Sequence, residues 1–157
     1  MQNFKLLNQD EHNMVWDRFY DLFDFKPSIE IFPAINTDQP QLKLDISNCF
    51  SINYPYHELE TWALKLFKAI SKPNERYYAL DWQHPCYDFD PRQSMDRDDN
   101  GEWIVPVLPN GDYYIFLTKD FKNVWFGHPW EKTITLIGED IVKYDQQMQS
   151  DFEKLKL

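Results

Sequence analysis

Residues 109–138 read PNGDYYIFLTKDFKNVWFGHPWEKTITLIG. Aromatic and β-branched residues fill Tyr113–Leu117, Val124–Phe126 and Thr133–Ile137, the composition that suits a pleated, packed strand. Turn formers separate these runs. Pro109-Asn110-Gly111-Asp112 is the strongest turn signal in the chain. It reads either as a two-residue Asn-Gly hairpin loop or as a type I turn led by Pro109. Thr118 to Asn123 forms the next turn. With Trp103–Leu108 ahead of it, the region predicts a four-stranded antiparallel meander.

Working outward, Arg76–Trp82 and Tyr87–Phe89 supply further short strands. Leu42, Leu44 and Ile46 alternate with polar residues, the pattern of a half-buried strand, and Phe50 and Ile52 can continue it. Three segments carry helical spacing. From Asn8 to Phe25, Trp16, Phe19, Tyr20 and Phe23 form one apolar face, Asn8 and Glu11 are placed for a capping box, and Pro27 ends the run. Asp17, Asp21 and Asp24 fall off that face, toward water. From Tyr56 to Ser71, Leu59, Trp62, Ala63, Leu66, Phe67 and Ile70 form a wide stripe before Pro73. From Glu139 to Leu157, Ile141, Tyr144, Met148, Phe152 and Leu155 share a face. The fold class is therefore α+β: a mainly antiparallel sheet of five or six strands packed by about three helices, in one domain over residues 1–157. The segment with Pro27, Pro33 and Pro40 reads as a connecting loop.

Composition narrows the function classes. Six Trp, nine Tyr and twelve Phe in 157 residues exclude disorder over most of the chain. Two cysteines, Cys49 and Cys86, make neither a disulfide framework nor a multi-cysteine zinc site. The start, MQNFKLLNQDEHN, lacks a secretory pattern, and no apolar stretch is long enough to span a bilayer, so a cytoplasmic location is expected. The net charge of −10 disfavours nucleic acid, whose phosphates need Lys and Arg, and disfavours an anionic membrane surface. It permits a basic protein partner or a metal ion, and it also keeps a protein soluble without further meaning.

No glycine occurs before Gly101, so no phosphate-cradling Gly-rich loop or dinucleotide fingerprint opens a helix in that region. There is no nucleophile elbow and no H-E-x-x-H. Three stretches are left as candidates. In Asp81-Trp82-Gln83-His84-Pro85-Cys86-Tyr87-Asp88-Phe89-Asp90, an extended backbone would set His84, Cys86, Asp88 and Asp90 on one face, but the spacing matches no strict ligand pattern. Asp96-Arg97-Asp98-Asp99-Asn100-Gly101 imitates the start of a calcium loop, yet Val107 stands where the bidentate Glu is required. Phe126-Gly127-His128-Pro129-Trp130-Glu131 puts costly residue types between two strands. It is either a recognition or catalytic corner or a bulge whose His and Trp pack locally. The chain is expected to need no metal and no cofactor.

Tyr78-Ala-Leu-Asp-Trp-Gln-His84, Pro109-Asn-Gly-Asp-Tyr-Tyr-Ile-Phe116, Asp120-Phe121 and Phe126-Gly-His-Pro-Trp-Glu131 together resemble a family of small bacterial proteins known only as a domain of unknown function, DUF2716. Trp16, Phe23, Phe25, Pro27 and Ser28 fit it more loosely. The resemblance implies a bacterial, cytoplasmic protein and supplies no activity and no functional residue.

Two functional expectations follow. The leading one is a non-catalytic protein that binds another macromolecule, in the manner of an immunity or inhibitor protein whose acidic surface blocks a basic partner. The alternative is an enzyme or small-ligand binder built on an Asp/His cluster. The site residues expected are Asp81, His84, His128 and Trp130.

Overall fold

A strand covered on both faces needs a continuous apolar run rather than an alternating one, and the centre of this protein is built that way. The computed structural model describes residues 2–51 and 56–148. Its elements in chain order are β1 (Phe4–Leu6), α1 (Gln9–Phe23), β2 (Gln41–Asp45), α2 (Tyr56–Ala69), β3 (Tyr77–Asp81), β4 (Tyr87–Phe89), β5 (Tyr114–Thr118), β6 (Val124–His128), β7 (Thr133–Ile137) and α3 (Glu139–Met148). All seven strands join one antiparallel sheet in the order β1-β4-β3-β5-β6-β7-β2.

The pleat sends alternate side chains to two cores. Tyr77, Ala79, Phe116, Trp125, Ile134 and Leu136 face α2, where Leu59, Trp62, Leu66 and Phe67 meet them. Tyr78, Leu80, Ile115, Leu117, Phe126 and Ile137 face α1, where Val15, Trp16, Phe19 and Phe23 meet them. Each buried aromatic or aliphatic side chain contributes about 2 kcal/mol of transfer free energy, so the sheet is held from both sides.

The helix ends follow sequence chemistry. Asn8 Oδ1 accepts the Glu11 amide at 2.8 Å, an N-cap worth about 1 kcal/mol. Asp24 closes α1 in the left-handed region at φ 48°. Tyr20, predicted on the apolar face, is 40 % exposed, and its hydroxyl accepts Trp82 Nε1–H at 3.0 Å. Beyond the end of α2, the Arg92 guanidinium donates to the carbonyls of Lys68, Ser71 and Lys72.

Three expectations are corrected. The sheet has seven strands, not five or six, because β1 pairs with β4 (Phe4 opposite Phe89). Trp103–Leu108 is not a strand. β3 and β6 occupy the two edges of β5, and Pro106 lacks an amide to donate, so the segment covers the α2-side core through Trp103, Val105 and Val107. Ser47–Phe50 is a 3-10 turn rather than a continuation of β2; Ile52 lies outside the described residues. The third helix begins at Glu139 as expected, and residues 149–157 lie outside the described residues.

Candidate functional site

β3 and β6 finish, and β5 begins, at one end of the sheet. The register sets Asp81 opposite Tyr114 and Tyr114 opposite Gly127, so the loops that follow β3, precede β5 and follow β6 meet there. Loops held by a rigid sheet are where binding groups concentrate.

After β3 the chain turns tightly. Gln83 sits at φ 65° and the His84 amide donates to the Asp81 carbonyl at 3.1 Å. This returns His84 to Asp81, with Nδ1 3.0 Å from Asp81 Oδ1. Asp112 comes from the other strand. One of its oxygens accepts the Tyr113 amide at 2.8 Å, and the other lies 3.0 Å from the same His84 nitrogen. The Trp82 carbonyl is also 3.0 Å from that nitrogen. Burial and the neighbouring Asp112 carboxylate push Asp81 up to about 7 against the pull of His84, while Asp81 raises His84. Asp112 is the member of this cluster that the sequence reading missed.

The corner after β6 is a separate arrangement. His128 is fully buried on the α1 side, against Tyr113 (ring centroids 4.9 Å apart) and Phe32 (4.7 Å). Its Nδ1 accepts the Glu131 amide at 3.1 Å, and its carbonyl accepts the Lys132 amide at 3.0 Å. The proton therefore belongs on Nε2, which has no hydrogen-bond partner among the described residues. Burial depresses His128 to about 4, so the ring is neutral. Gly127 suits a close approach: a Cβ there would lie 3.0 Å from both Pro109 Cβ and the Tyr114 carbonyl oxygen, and those neighbours would have to give by a few tenths of an ångström. Asp81 and His84 thus come together, His128 and Trp130 come together, and Asp112-Tyr113 runs between the two pairs.

Beside the corner lies a surface that the sequence marked only as a connection. The 27–33 loop is closed at its base by the Lys26 amide on the Ala34 carbonyl at 2.7 Å. It is pinned to the sheet where the Tyr113 hydroxyl accepts the Ser28 amide at 3.0 Å. The Ser28 hydroxyl accepts the Glu30 and Ile31 amides and fixes the tip. Ile29 is 64 % exposed, Ile31 74 %, Phe32 39 % and Trp130 36 %. Among the charges near the tip in sequence, Glu30 lies within it, Asp24 at the end of α1 pairs with Lys26 at 3.3 Å, and Glu131 next to Trp130 pairs with Lys43 at 3.0 Å.

The other sequence candidates are structural. Asp88 pairs with Arg76 and with Lys119, which outweigh its burial and hold it below the usual carboxylate range. Asp90 receives Arg76 and the Arg92 amide, and Cys86 is buried in the α1-side core. The shared face that an extended backbone would have given His84, Cys86, Asp88 and Asp90 does not form, because the chain turns at Gln83, ahead of β4. In the calcium-like stretch, Asp98 Oδ1 accepts the Asn100 and Glu102 amides, and Asp96 Oδ2 accepts the Asn3 and Phe4 amides. Those carboxylates are spent on the backbone.

Residues 6–142 match the family described as protein of unknown function (DUF2716). The chain belongs to that family. It is also 37 % identical over 150 residues to an uncharacterised protein, YxiI, of Bacillus subtilis (strain 168), a match covering 91 % of this chain and 92 % of that protein. No solved structure matches. Among the described residues no helix is long and apolar enough to cross a membrane.

Proposed function

We propose that this DUF2716 protein is a non-catalytic binding protein that engages a basic protein partner in the bacterial cytoplasm, in the manner of an immunity or inhibitor protein. The exposed apolar tip of Ile29, Ile31 and Phe32 beside Trp130 carries this reading. Grouped exposed apolar side chains with a polar surround are the anatomy of a docking surface, with aromatic anchors at its centre. The chain's charge of −10 favours a cationic partner and would speed its approach. Tyr113 and the closed loop base hold the tip in place before binding, which lowers the ordering cost of association. Cys49 and Cys86, buried on opposite faces of the sheet, suit a reducing compartment.

The test compares the wild-type chain with Ile29→Ser/Ile31→Ser, in which two outward side chains lose apolar area without disturbing the core. Each chain is used to capture proteins from its own bacterial host. The expected result is one basic protein held by the wild type, released by salt, and bound at least tenfold more weakly by the variant when purified and titrated. Equal capture by both chains refutes the reading. So does concentration-dependent self-association of the wild type that the variant lacks, since the tip would then face a second copy.

A further inference from the structure

We propose that Asp81, His84 and Asp112 form a binding site for one divalent first-row transition cation of the zinc or manganese class. The donors come from three places that the fold makes rigid. Asp81 ends β3, Asp112 lies two residues before the ladder of β5, and His84 is returned to both by the turn at Gln83. Their donor atoms all lie within 4.8 Å of one another, and His84 Nδ1 is 3.0 Å from an oxygen of each carboxylate. Ligands about 2.1 Å from a metal and at right angles to one another are about 3 Å apart, so the observed spacing is that of neighbouring corners of a coordination shell.

The contacts present without an ion point the same way. Three oxygens, from Asp81, Asp112 and the Trp82 carbonyl, converge on the one nitrogen His84 Nδ1 at 3.0 Å. A single N–H cannot serve three acceptors well. A cation would accept a lone pair from the imidazole and from each carboxylate, cancel the repulsion between Asp81 and Asp112, and leave the Trp82 carbonyl as a further oxygen donor. A cleft of about 460 Å³, lined by Leu6, Gln9, His12, Gln83 and His84, touches the cluster at His84. One imidazole nitrogen with carboxylate oxygens selects zinc, manganese or iron over calcium and magnesium, which take oxygen ligands. No contiguous motif announces the site because Asp112 joins it from across the sheet.

The experiment uses the full chain, stripped with chelator and titrated calorimetrically with zinc chloride and with manganese chloride, while the total tryptophan fluorescence is followed. The expected result is one ion per chain, with calcium failing to compete at equal concentration. His84→Ala and Asp112→Asn should each weaken binding at least tenfold while leaving the far-ultraviolet dichroism unchanged. His84 is an exposed side chain, so its variant decides the matter even if Asp112→Asn fails to fold. Wild-type affinity in His84→Ala, absence of stoichiometric binding at about 1 mM ion (a free energy weaker than about −4 kcal/mol), or equal competition by calcium would each overturn the assignment.

Discussion

His128 lies beneath the proposed docking tip and makes it sensitive to acid. Its ring is buried and neutral, depressed to about 4 from an ordinary value of 6.5. In the unfolded chain the ring takes up a proton as pH falls through 6.5, whereas in the folded chain it does so only near 4. Stability from this residue is therefore complete above 6.5 and is lost progressively between 6.5 and about 4. Multiplying the shift by about 1.4 kcal/mol per pH unit gives a loss of about 3–4 kcal/mol. Asp81 acts in the opposite direction: its raised value stabilises the folded state as pH falls from about 7 toward 3.8. The total curve is consequently a sum, and His128 must be isolated by comparison. His128→Asn is the informative change. The amide oxygen can replace Nδ1 as acceptor for the Glu131 amide, and the side chain carries no charge at any pH. The variant loses ring packing against Phe32, Tyr113 and Trp130, a cost of about 1–2 kcal/mol that does not depend on pH. Urea unfolding across the range from about pH 7.5 to pH 4 should thus show the variant less stable at the upper end and more stable at the lower, with the two curves crossing. A constant gap between the curves would refute the argument and remove His128 as the acid-sensitive element under the tip.

Three further outcomes are expected. Gly138→Ala should destabilise the fold by several kcal/mol or prevent its expression in soluble form. Gly138 sits at φ +119°, and a Cβ there would lie 2.1 Å from the Lys122 carbonyl oxygen; guanidinium melts or recovery of soluble chain read the effect. Thermal unfolding should be a single transition at the same midpoint with and without reductant, because Cys49 and Cys86 occupy different cores; two transitions or a reductant-dependent midpoint would contradict this. Duplex DNA should not bind at physiological salt, given the charge of −10, and an anisotropy titration with sub-micromolar affinity would contradict that.

The parts of the fold that were legible in the sequence are those where one physical rule acts alone. β3, β5 and β6 are largely continuous apolar runs because both faces of the sheet are covered, β7 sets Ile and Leu among the buried Thr133 and Thr135, and α1 and α2 carry periodic stripes with an Asn cap and proline stops. Trp103–Leu108 is as apolar as those strands and was read as one. Nothing within it distinguishes a strand from a covering layer. The decision rests on whether a sheet edge is free, and β5 has none left to offer. β1 was invisible for the opposite reason. Three residues with only Phe4 buried make no pattern, and they become a strand because β4 presents an open edge.

The candidate site divides along the same line. His84 with Asp81 was readable because their separation of three residues is local, and the corner at His128 and Trp130 was readable from its costly composition. Asp112 was not, since it joins them only through the pairing of β3 with β5. Its place does follow once the register is known. If Tyr114 opposes Asp81, the residue two positions before Tyr114 must project beyond the end of β3, where the turn delivers His84. The proposed docking tip was missed because Pro27 and Pro33 marked its loop as a connection. The overlooked signal was Ile29 with Ile31: two outward β-branched apolar residues in a loop have no ladder to join and no core to fill. Tyr113 ties the two regions together, since its hydroxyl accepts from the tip at Ser28 and its amide donates to Asp112, which faces His84. A group bound at Asp112 and a partner bound at Ile31 would therefore both bear on one side chain. Tyr113→Phe, which removes only the hydroxyl tie, should weaken partner binding through the tip and leave ion binding at His84 intact.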